Sequence, residues 1–292
     1  MSVFSSFFVK HNLILHHGQN LRVLCTLCWN TCLRLTLQLH KKLRGIHRPI
    51  VHYYALCWNE EKMLPFMFQH YEPFVDRFFI YDNYSDDQSE DIIRSHRNTM
   101  VKKYSMGGQI DDFVYLDIKN NCWKKSRGKA DFVIVCDTDE FLYHKDILIA
   151  LQDIKKNKYS IVKPSGYNMY CDAYPTYDAD RPLTEQARRG IRVPFFDKCI
   201  LFDPHAVVEM NYLPGAHECL PWGRIKISSN SGFMLLHFKY FGVEWLVERH
   251  RQYAQRLSKT NINHKLGEEY VKKESEIIEE FKKNNQDAVA VI

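Results

Sequence analysis

The chain has 292 residues, of which 45% are hydrophobic and 26% are charged. That is enough apolar material for one large or two small domains, and it excludes a disordered chain. Residues 1–48 hold seven of the 40 Lys and Arg residues and none of the 35 Asp and Glu residues, so the rest has 33 basic and 35 acidic residues, a net charge of −2. A body without basic excess argues against a nucleic-acid partner.

The first 48 residues form a basic extension. Its most apolar stretch, residues 21–39, is interrupted by Arg22 and Arg34, so no uninterrupted run of about 18 apolar residues predicts a membrane-spanning helix. Two interpretations stay open for residues 1–48. They form a poorly ordered extension, or a basic segment that resembles a transit peptide or a helix lying on a membrane surface.

Nine cysteines are scattered along the chain. An odd number in a chain of this length favours a reducing, intracellular compartment over a disulfide scaffold. The spacing of Cys25, Cys28 and Cys32 could suggest zinc. However, a four-ligand structural site usually shows a second pair at matching spacing, and none follows.

From Pro49 onward, strand-like and helix-like segments alternate. The predicted strands are 51–57, 78–81, 101–104 and 131–136, and the predicted helices between them are 63–71, a segment that begins at Ser89, and 111–130. This alternation predicts an α/β domain with a mostly parallel sheet. The apolar run of the fourth strand indicates burial on both faces.

The pattern changes at about residue 161. Prolines and glycines then separate short, often aromatic segments, which predicts loops and short strands attached to the first sheet. Residues 244–257 and 266–284 are predicted helices. In the second of these, Glu and Lys residues four positions apart indicate a solvated face.

Polar side chains follow three of the predicted strands at the point where each strand ends. They are Asn59 and Glu60 after the first strand, Asp82 and Asn83 after the second, and Asp137 and Asp139 after the fourth. Because ligands bind outside the carboxyl ends of strands in open parallel sheets, we expect these side chains at one binding edge.

Asp137 and Asp139 carry the strongest signal. Two carboxylates beside a buried strand end are unfavourable unless a cation lies between them. Oxygen ligands suit Mn²⁺ or Mg²⁺, and such an ion would bridge the phosphates of a nucleoside diphosphate and stabilise its departure. A purely structural turn is the alternative for an Asp-x-Asp motif.

Several segments together resemble family 2-like glycosyltransferases, and in particular a bacterial subgroup linked to surface polysaccharides. These segments are 55–61, 80–87, 121–131 and 133–141. The resemblance covers residues 51 to about 257 and implies the GT-A fold, a Rossmann-like domain with an acceptor-binding extension. The parts expected on this basis are a basic extension (1–48), a nucleotide-sugar-binding half (49–160), an acceptor-side and metal-completing region (161–242) and C-terminal helices (243–292).

The resemblance also implies roles for the polar clusters. The residues expected to bind the donor are Asn59, Glu60, Asp82 and Asn83, of which Asn59, Glu60 and Asp82 would contact its base and ribose. Asp137 and Asp139 would hold the metal and the diphosphate.

Three further residues have two interpretations each. Lys124 and Arg127 could face the phosphates, or they could belong to a solvated helix face. His237 could complete the metal shell, since a neutral imidazole suits Mn²⁺, or it could be a core histidine.

Transfer with inversion needs a base that deprotonates the acceptor hydroxyl. The main candidates are Glu218 and Asp197, ranked level, and His217, which lies beside Glu218 in a tight turn. Asp197 could instead be a paired surface charge. The chain lacks the Glu-Asp dipeptide that marks the base in many family 2 members, so the base is open between these residues.

The resulting hypothesis is metal-assisted, inverting transfer of a sugar from a nucleotide-diphosphate donor to a hydroxyl of a glycan or lipid-linked glycan. It is placed in the cytoplasm, with peripheral membrane contact through residues 1–48. One alternative is a haloacid-dehalogenase-like phosphohydrolase, whose first aspartate is a nucleophile. There Thr or Val usually lies two residues after the second aspartate, whereas Glu140 and Phe141 follow here. Another is a non-catalytic sugar-binding module, which would not need both carboxylates.

Overall fold

The computed structural model describes residues 16–229 and 231–292. The α-helices are α1 (His16–Arg44), α2 (Leu64–Tyr71), α3 (Ser89–Ser95), α4 (Asp112–Asn121), α5 (Ile147–Lys156), α6 (Leu183–Gln186), α7 (Val243–Arg256), α8 (Lys259–Asn263) and α9 (Glu274–Asp287). The strands are β1 (Val51–Cys57), β2 (Arg77–Asp82), β3 (Thr99–Lys103), β4 (Phe132–Val135), β5 (Glu140–Tyr143), β6 (Ile161–Val162), β7 (Ser165–Cys171), β8 (Arg189–Arg192), β9 (Leu201–Phe202), β10 (Val207–Glu209), β11 (Trp222–Gly223), β12 (Ile227–Ser228), β13 (Met234–Phe241) and β14 (Val289–Ala290). Short 3₁₀ helices are Cys122–Ser126, Pro194–Phe196, Pro214–Ala216 and Glu268–Val271.

The largest sheet has seven strands in the order β12-β6-β9-β4-β1-β2-β3. Strands β4, β1, β2 and β3 are parallel neighbours, while β9 runs antiparallel to β4 and β6. All four residues of β4 are buried, as expected for a parallel strand covered on both faces. The predicted α/β class, with a mostly parallel sheet flanked by helices, is confirmed and is consistent with a GT-A-like Rossmann fold.

A second sheet has the order β14-β8-β7-β13-β5. Its strand β5 begins at Glu140, immediately after the segment 137–139 that leaves β4. Strand β13 pairs with β5 and β7 and places His237 opposite both Glu140 and Asn168. The chain therefore crosses from one sheet to the other at the Asp-x-Asp motif.

Helix α1 packs against the body with one face. Leu37 is buried, the Asn30 side chain donates to the His205 carbonyl oxygen at 3.2 Å, and Lys41 pairs with Asp131 at 2.5 Å. Within residues 1–48, the described part, 16–48, therefore forms a helix that packs on the body and a short linker to β1. Residues 1–15 lie outside the described part of the chain. No helix among the described residues has the length and apolarity needed to cross a bilayer.

Two predicted helices have different bounds in the structure. The one predicted over 111–130 ends as an α-helix at Asn121 and continues as a 3₁₀ turn to Ser126. The one predicted over 266–284 is divided into a 3₁₀ turn and α9, because Gly267 adopts a left-handed φ of +78° and Lys273 is extended. The Glu/Lys spacing in 266–273 therefore does not lie on an α-helix.

All nine cysteines are free thiols. Cys57 and Cys136 are buried in the core, which agrees with their positions in apolar runs, whereas Cys25, Cys28 and Cys32 are exposed on α1. Nowhere in residues 16–229 and 231–292 does a group of three or more His, Cys, Asp or Glu side chains gather to hold a metal ion. The described cysteines thus form no zinc site.

Candidate active site

A cavity of about 430 Å³ lies at the carboxyl ends of β1 and β4, beside the start of the second sheet. The predicted site residues that line it are Glu60, Asp137, Asp139, His217 and His237. Four separate parts of the sequence thus meet in one cavity. This location follows the rule for open parallel sheets, where strand carboxyl ends form the binding edge.

Asp139 and His237 form a close pair on the cavity wall. The Asp139 Oδ2 atom lies 3.3 Å from His237 Nε2, and the other ring nitrogen, Nδ1, lies 3.1 Å from Asn168 Oδ1. An amide oxygen can only accept, so Nδ1 carries the proton, and a neutral imidazole then directs an Nε2 lone pair toward Asp139.

An imidazole lone pair beside a carboxylate is a donor set for a borderline divalent cation such as Mn²⁺. Two protein ligands suffice for an ion that keeps waters and binds substrate phosphates. Asp139 and His237 therefore fit the expected metal.

Asp137 has a different partner. Its Oδ1 atom lies 2.7 Å from the Nζ of Lys119, a buried residue of α4. Burial alone would lower the pKa of Lys119, but the charges of Asp137 and Glu140 raise it above its ordinary value. Lys119 thus presents a permanent positive charge to the cavity, next to a carboxylate whose side chain is still 38% exposed.

A buried ion pair stabilises the turn that carries both aspartates. Glu140 is 1% exposed and pairs with Lys198, which is 4% exposed. The second oxygen of Glu140 accepts a hydrogen bond from the Asp137 backbone N–H at 3.1 Å. Burial raises the pKa of Glu140, but the neighbouring cationic side chains, Lys198 first among them, together hold this pKa below its usual range. Glu140 thus ties the backbone of the Asp-x-Asp turn to Lys198.

The opposite wall is cationic and aromatic, and α7 supplies much of it. Arg249 pairs with Glu60, and its guanidinium lies 4.7 Å from the ring centroid of Tyr253. Arg256 stacks on Trp58 at 3.2 Å from its ring centroid. This wall offers a flat aromatic surface together with positive charge.

His217 lines the cavity from the Pro214–Ala216 turn. Its ring stacks on Phe195 at 3.9 Å, and its Nδ1 lies 3.1 Å from the Phe195 carbonyl oxygen. Burial lowers the pKa of this imidazole to about 3, so the ring is neutral. The His217 ring packs directly against Gly215, which has a φ of +75°. A Cβ at this position would lie 2.6 Å from His217 Cδ2, so the arrangement requires glycine.

Several residues expected to bind the nucleotide-sugar donor do not line the cavity. Asp82 is fully buried and pairs with Lys103 at 2.7 Å, and the Asn83 backbone N–H donates to the Cys57 carbonyl oxygen at 2.9 Å. Asn59 has a positive φ of 51° and bonds Asp86 across the loop. These residues hold the loops after β1 and β2, and Glu60 alone of this group reaches the cavity.

Lys124 and Arg127 also point elsewhere. Lys124 pairs with Glu209 at 2.5 Å, and Arg127 donates to the backbone carbonyl oxygens of Pro204 and Val208. Both bind the body near β10. The sequence left two interpretations open, contact with the phosphates or a solvated helix face. These contacts with the body of the protein match neither.

Two of the expected bases are not in the cavity lining either. Asp197 accepts from the Gly166 backbone N–H and from Arg192, each at 2.8 Å, which matches its alternative interpretation as a paired charge. Glu218 contributes its backbone carbonyl oxygen to the turn by accepting from the Leu213 N–H at 3.0 Å. Of the three expected bases, His217 alone lines the cavity.

Several site residues were not found from the sequence. The cationic residues among them are Lys119, Lys198, Lys239, Arg249, Arg256 and Lys265. One signal was present: Trp245, Arg249 and Tyr253 are four residues apart, which puts them on one face of α7. A basic residue inside an aromatic helical stripe is an indication of a charged, ligand-facing wall.

The fold and cavity define an α/β protein whose binding site lies at the carboxyl ends of its parallel strands. No protein-family model matches the chain, and no curated protein matches it. Among solved structures it is similar to S. aureus TarS 1-349, at 12% identity and a TM-score of 0.39 over 71% of this chain, and to S. aureus TarS, at 14% identity and a TM-score of 0.40 over 80% of this chain.

S. aureus TarS 1-349 in complex with UDP gives 13% identity and a TM-score of 0.39, over 71% of this chain and 65% of that one. The chain spans 65% of the length of the first TarS structure and 42% of the second.

Proposed function

We propose that the protein is a glycosyltransferase that moves a sugar from a nucleoside diphosphate donor to a hydroxyl of a glycan or lipid-linked glycan. The observation that carries the proposal is the Asp139–His237 pair, in which a carboxylate faces an imidazole lone pair at a parallel-sheet edge. Lys119 lies beside it and supports the binding of a multiply charged anion.

In this proposal Asp139 and His237 hold Mn²⁺ or Mg²⁺, with Asp137 toward the diphosphate. The ion supplies Lewis acidity that stabilises charge on the departing nucleoside diphosphate. Lys119 adds a second, permanent positive charge, and it orients Asp137 through their ion pair. Glu140 and Lys198 keep the turn in place, so the carboxylates are pre-organised before the donor binds.

The aromatic wall is the proposed position of the nucleoside. Trp58, already stacked by Arg256, offers a flat surface to a base, and Glu60 is the remaining acid of the predicted donor group in the cavity. Asn59, Asp82 and Asn83 are assigned an indirect role, since they shape the loops from which Trp58 and Glu60 extend.

For an inverting reaction, His217 is the proposed base. Its Nδ1 faces a carbonyl oxygen, which leaves Nε2 as the proton acceptor. A free imidazole with a pKa of about 3 is a weak base, but the negative charge of a bound diphosphate raises it. Membership of a family 2-like bacterial group, and action at the cytoplasmic face of a membrane, are parts of the proposal that rest on the sequence resemblance.

The test is incubation with a panel of nucleotide-sugars and Mn²⁺, followed by identification of the products. The proposal predicts slow hydrolysis that releases a nucleoside diphosphate, stimulated by the metal and abolished by a chelator. Release of inorganic phosphate would instead indicate the phosphohydrolase alternative. Binding without release of any product would indicate a sugar-binding module.

A further inference from the structure

Helix α1 carries an apolar face that packs against nothing in the described structure. Its exposed apolar residues are 58–78% accessible: Leu21, Leu24, Trp29, Leu35, Leu39 and Leu43. At about 100° per residue they fall within one stripe about 140° wide and about 33 Å long. Such a stripe is larger than scattered surface hydrophobics require and marks an interaction surface.

The opposite face fixes the helix to the protein. Leu37 is 2% exposed, Lys41 pairs with Asp131, and Arg34 pairs with Asp203. Leu33 lies so close to Gly128 that a Cβ there would be 3.3 Å from its Cδ2. The apolar stripe is therefore held facing outward by buried anchors and cannot turn inward without breaking them.

All the charged residues of this helix are basic. Residues 1–48 contain no Asp or Glu. Arg22, Lys42 and Arg44 form no ion pair with any described residue, so their charges are directed to solvent or to a partner. A stripe of Leu and Trp flanked by unpaired Lys and Arg has the composition of a helix that lies in a bilayer interface.

We propose that the apolar stripe of α1 binds the surface of a bilayer that contains anionic lipids. A second copy of the chain is a poorer occupant, because two acid-free basic helices packed face to face would repel each other. A bilayer with anionic headgroups complements both the leucines and the basic residues. The helix lies on the membrane and does not cross it, since it is too polar to span.

This inference does not depend on the proposed reaction. It gives a physical basis to the membrane contact that the composition of residues 1–48 left open. If the protein also transfers sugars, the surface would hold it beside a lipid-linked acceptor.

The experiment is flotation of the full chain, under reducing conditions, with vesicles of phosphatidylcholine alone or mixed with phosphatidylglycerol. The wild type is expected to float with the anionic vesicles, and high salt is expected to weaken this binding. Leu39→Glu should lower the partition coefficient at least roughly tenfold, because it removes a large apolar contact and adds like charge.

Val289→Glu is the matched control. Val289 is 66% exposed, compared with 58% for Leu39, and it lies on β14 of the second sheet. The control therefore makes the same change in charge at an exposed apolar residue away from α1. The control should float like the wild type, and both variants should melt like it. Failure of the wild type to float, or equal loss in both variants, would overturn the proposal. If the wild type formed a dimer and did not bind vesicles, and if Leu39→Glu dissociated that dimer, the stripe would instead bind a second copy of the chain.

Discussion

At the scale of single residues, Asp139 and His237 place opposed lone pairs 3.3 Å apart, so each of them needs a cation or a proton. Asp139→Asn keeps the shape of the side chain but removes its charge. We expect release of nucleoside diphosphate to fall at least about 100-fold, since an ion at this site stabilises the leaving group by several kcal/mol. The melting temperature should stay close to that of the wild type.

Asp153→Asn provides the comparison. Asp153 is exposed on α5 and does not line the cavity. It should keep the wild-type rate. If Asp139→Asn did so too, the metal assignment would be lost.

The buried pair of Glu140 and Lys198 gives a stability prediction. Lys198→Met leaves a fully buried carboxylate without its partner, which should lower the free energy of unfolding by about 3–5 kcal/mol. Urea denaturation measures this change. Glu140→Gln combined with Lys198→Met should recover part of the loss, because the unpaired charge is then removed.

An exposed ion pair supplies the reference for that measurement. Arg94 and Glu90 are partners on the surface of α3, with side chains 57% and 28% accessible. Arg94→Met should change the free energy of unfolding far less than Lys198→Met does, because water screens an exposed ion pair. If Lys198→Met and Arg94→Met lowered the free energy of unfolding equally, Glu140 would not be isolated from water as it is in the structure.

The residues that could be predicted from the sequence share a local signal. Asp137 and Asp139 directly follow a buried strand, and the neighbouring strand β1 leads to Glu60. Lys119 and Lys198 could not be found in this way, because they meet Asp137 and Glu140 only through the packing of α4 and the 3₁₀ turn at 194–196. A lysine in a helix gives no sign of the partner that the fold will bring to it.

At the scale of elements, strands β1, β2 and β4 were predictable because each is a short, largely apolar run between turn residues. The C-terminal helices were less so. Residues 266–273 have a helical charge pattern, but the left-handed Gly267 and the packing of Tyr270 against Tyr253 override it. Side-chain spacing in a short segment is a weak signal when tertiary contacts oppose it.

Helix α1 leads to a prediction about truncation. Removal of residues 1–48 exposes the site that Leu37 fills and leaves Asp131 without Lys41. We expect the free energy of unfolding to drop by at least about 2 kcal/mol, from the loss of buried apolar surface alone. Thermal and urea unfolding of the truncated and full chains measure it, and equal stability would show that the helix is not anchored as described.

At the scale of the whole molecule, buried histidines couple stability to pH. Burial lowers the pKa of His52 to about 4 and that of His70 to about 4, both from 6.5. Between these values the unfolded chain binds more protons than the native one, so stability is present above pH 6.5 and is lost as the pH falls toward 4. The loss amounts to at most about 3 kcal/mol for each imidazole.

Urea denaturation between pH 7.5 and 5 measures this slope. The variant His52→Gln with His70→Gln should have a flatter dependence than the wild type over the same range. Indistinguishable slopes would mean that the two imidazoles are hydrated or already charged in the native protein.

The site itself is a property of the complete fold. Glu60, Asp137 and Asp139 come from the loops after β1 and β4, and the cationic wall comes mainly from α7. The two imidazoles come from β13 and from the turn after residues 214–216. The sheet edge could be anticipated from strand order. The second sheet, which positions His237 opposite Glu140, joins strands that are far apart in the sequence, so their pairing has no local signal. The Asp-x-Asp turn connects the two sheets, so its geometry depends on both.

The most direct measurement is the anomalous diffraction of a crystal soaked with Mn²⁺ and the nucleoside diphosphate that the protein releases. We expect one strong peak at coordination distance from Asp139 Oδ2 and His237 Nε2, with diphosphate oxygens completing the shell near Lys119. A peak elsewhere, or a bound nucleotide with no metal at that pair, would contradict it.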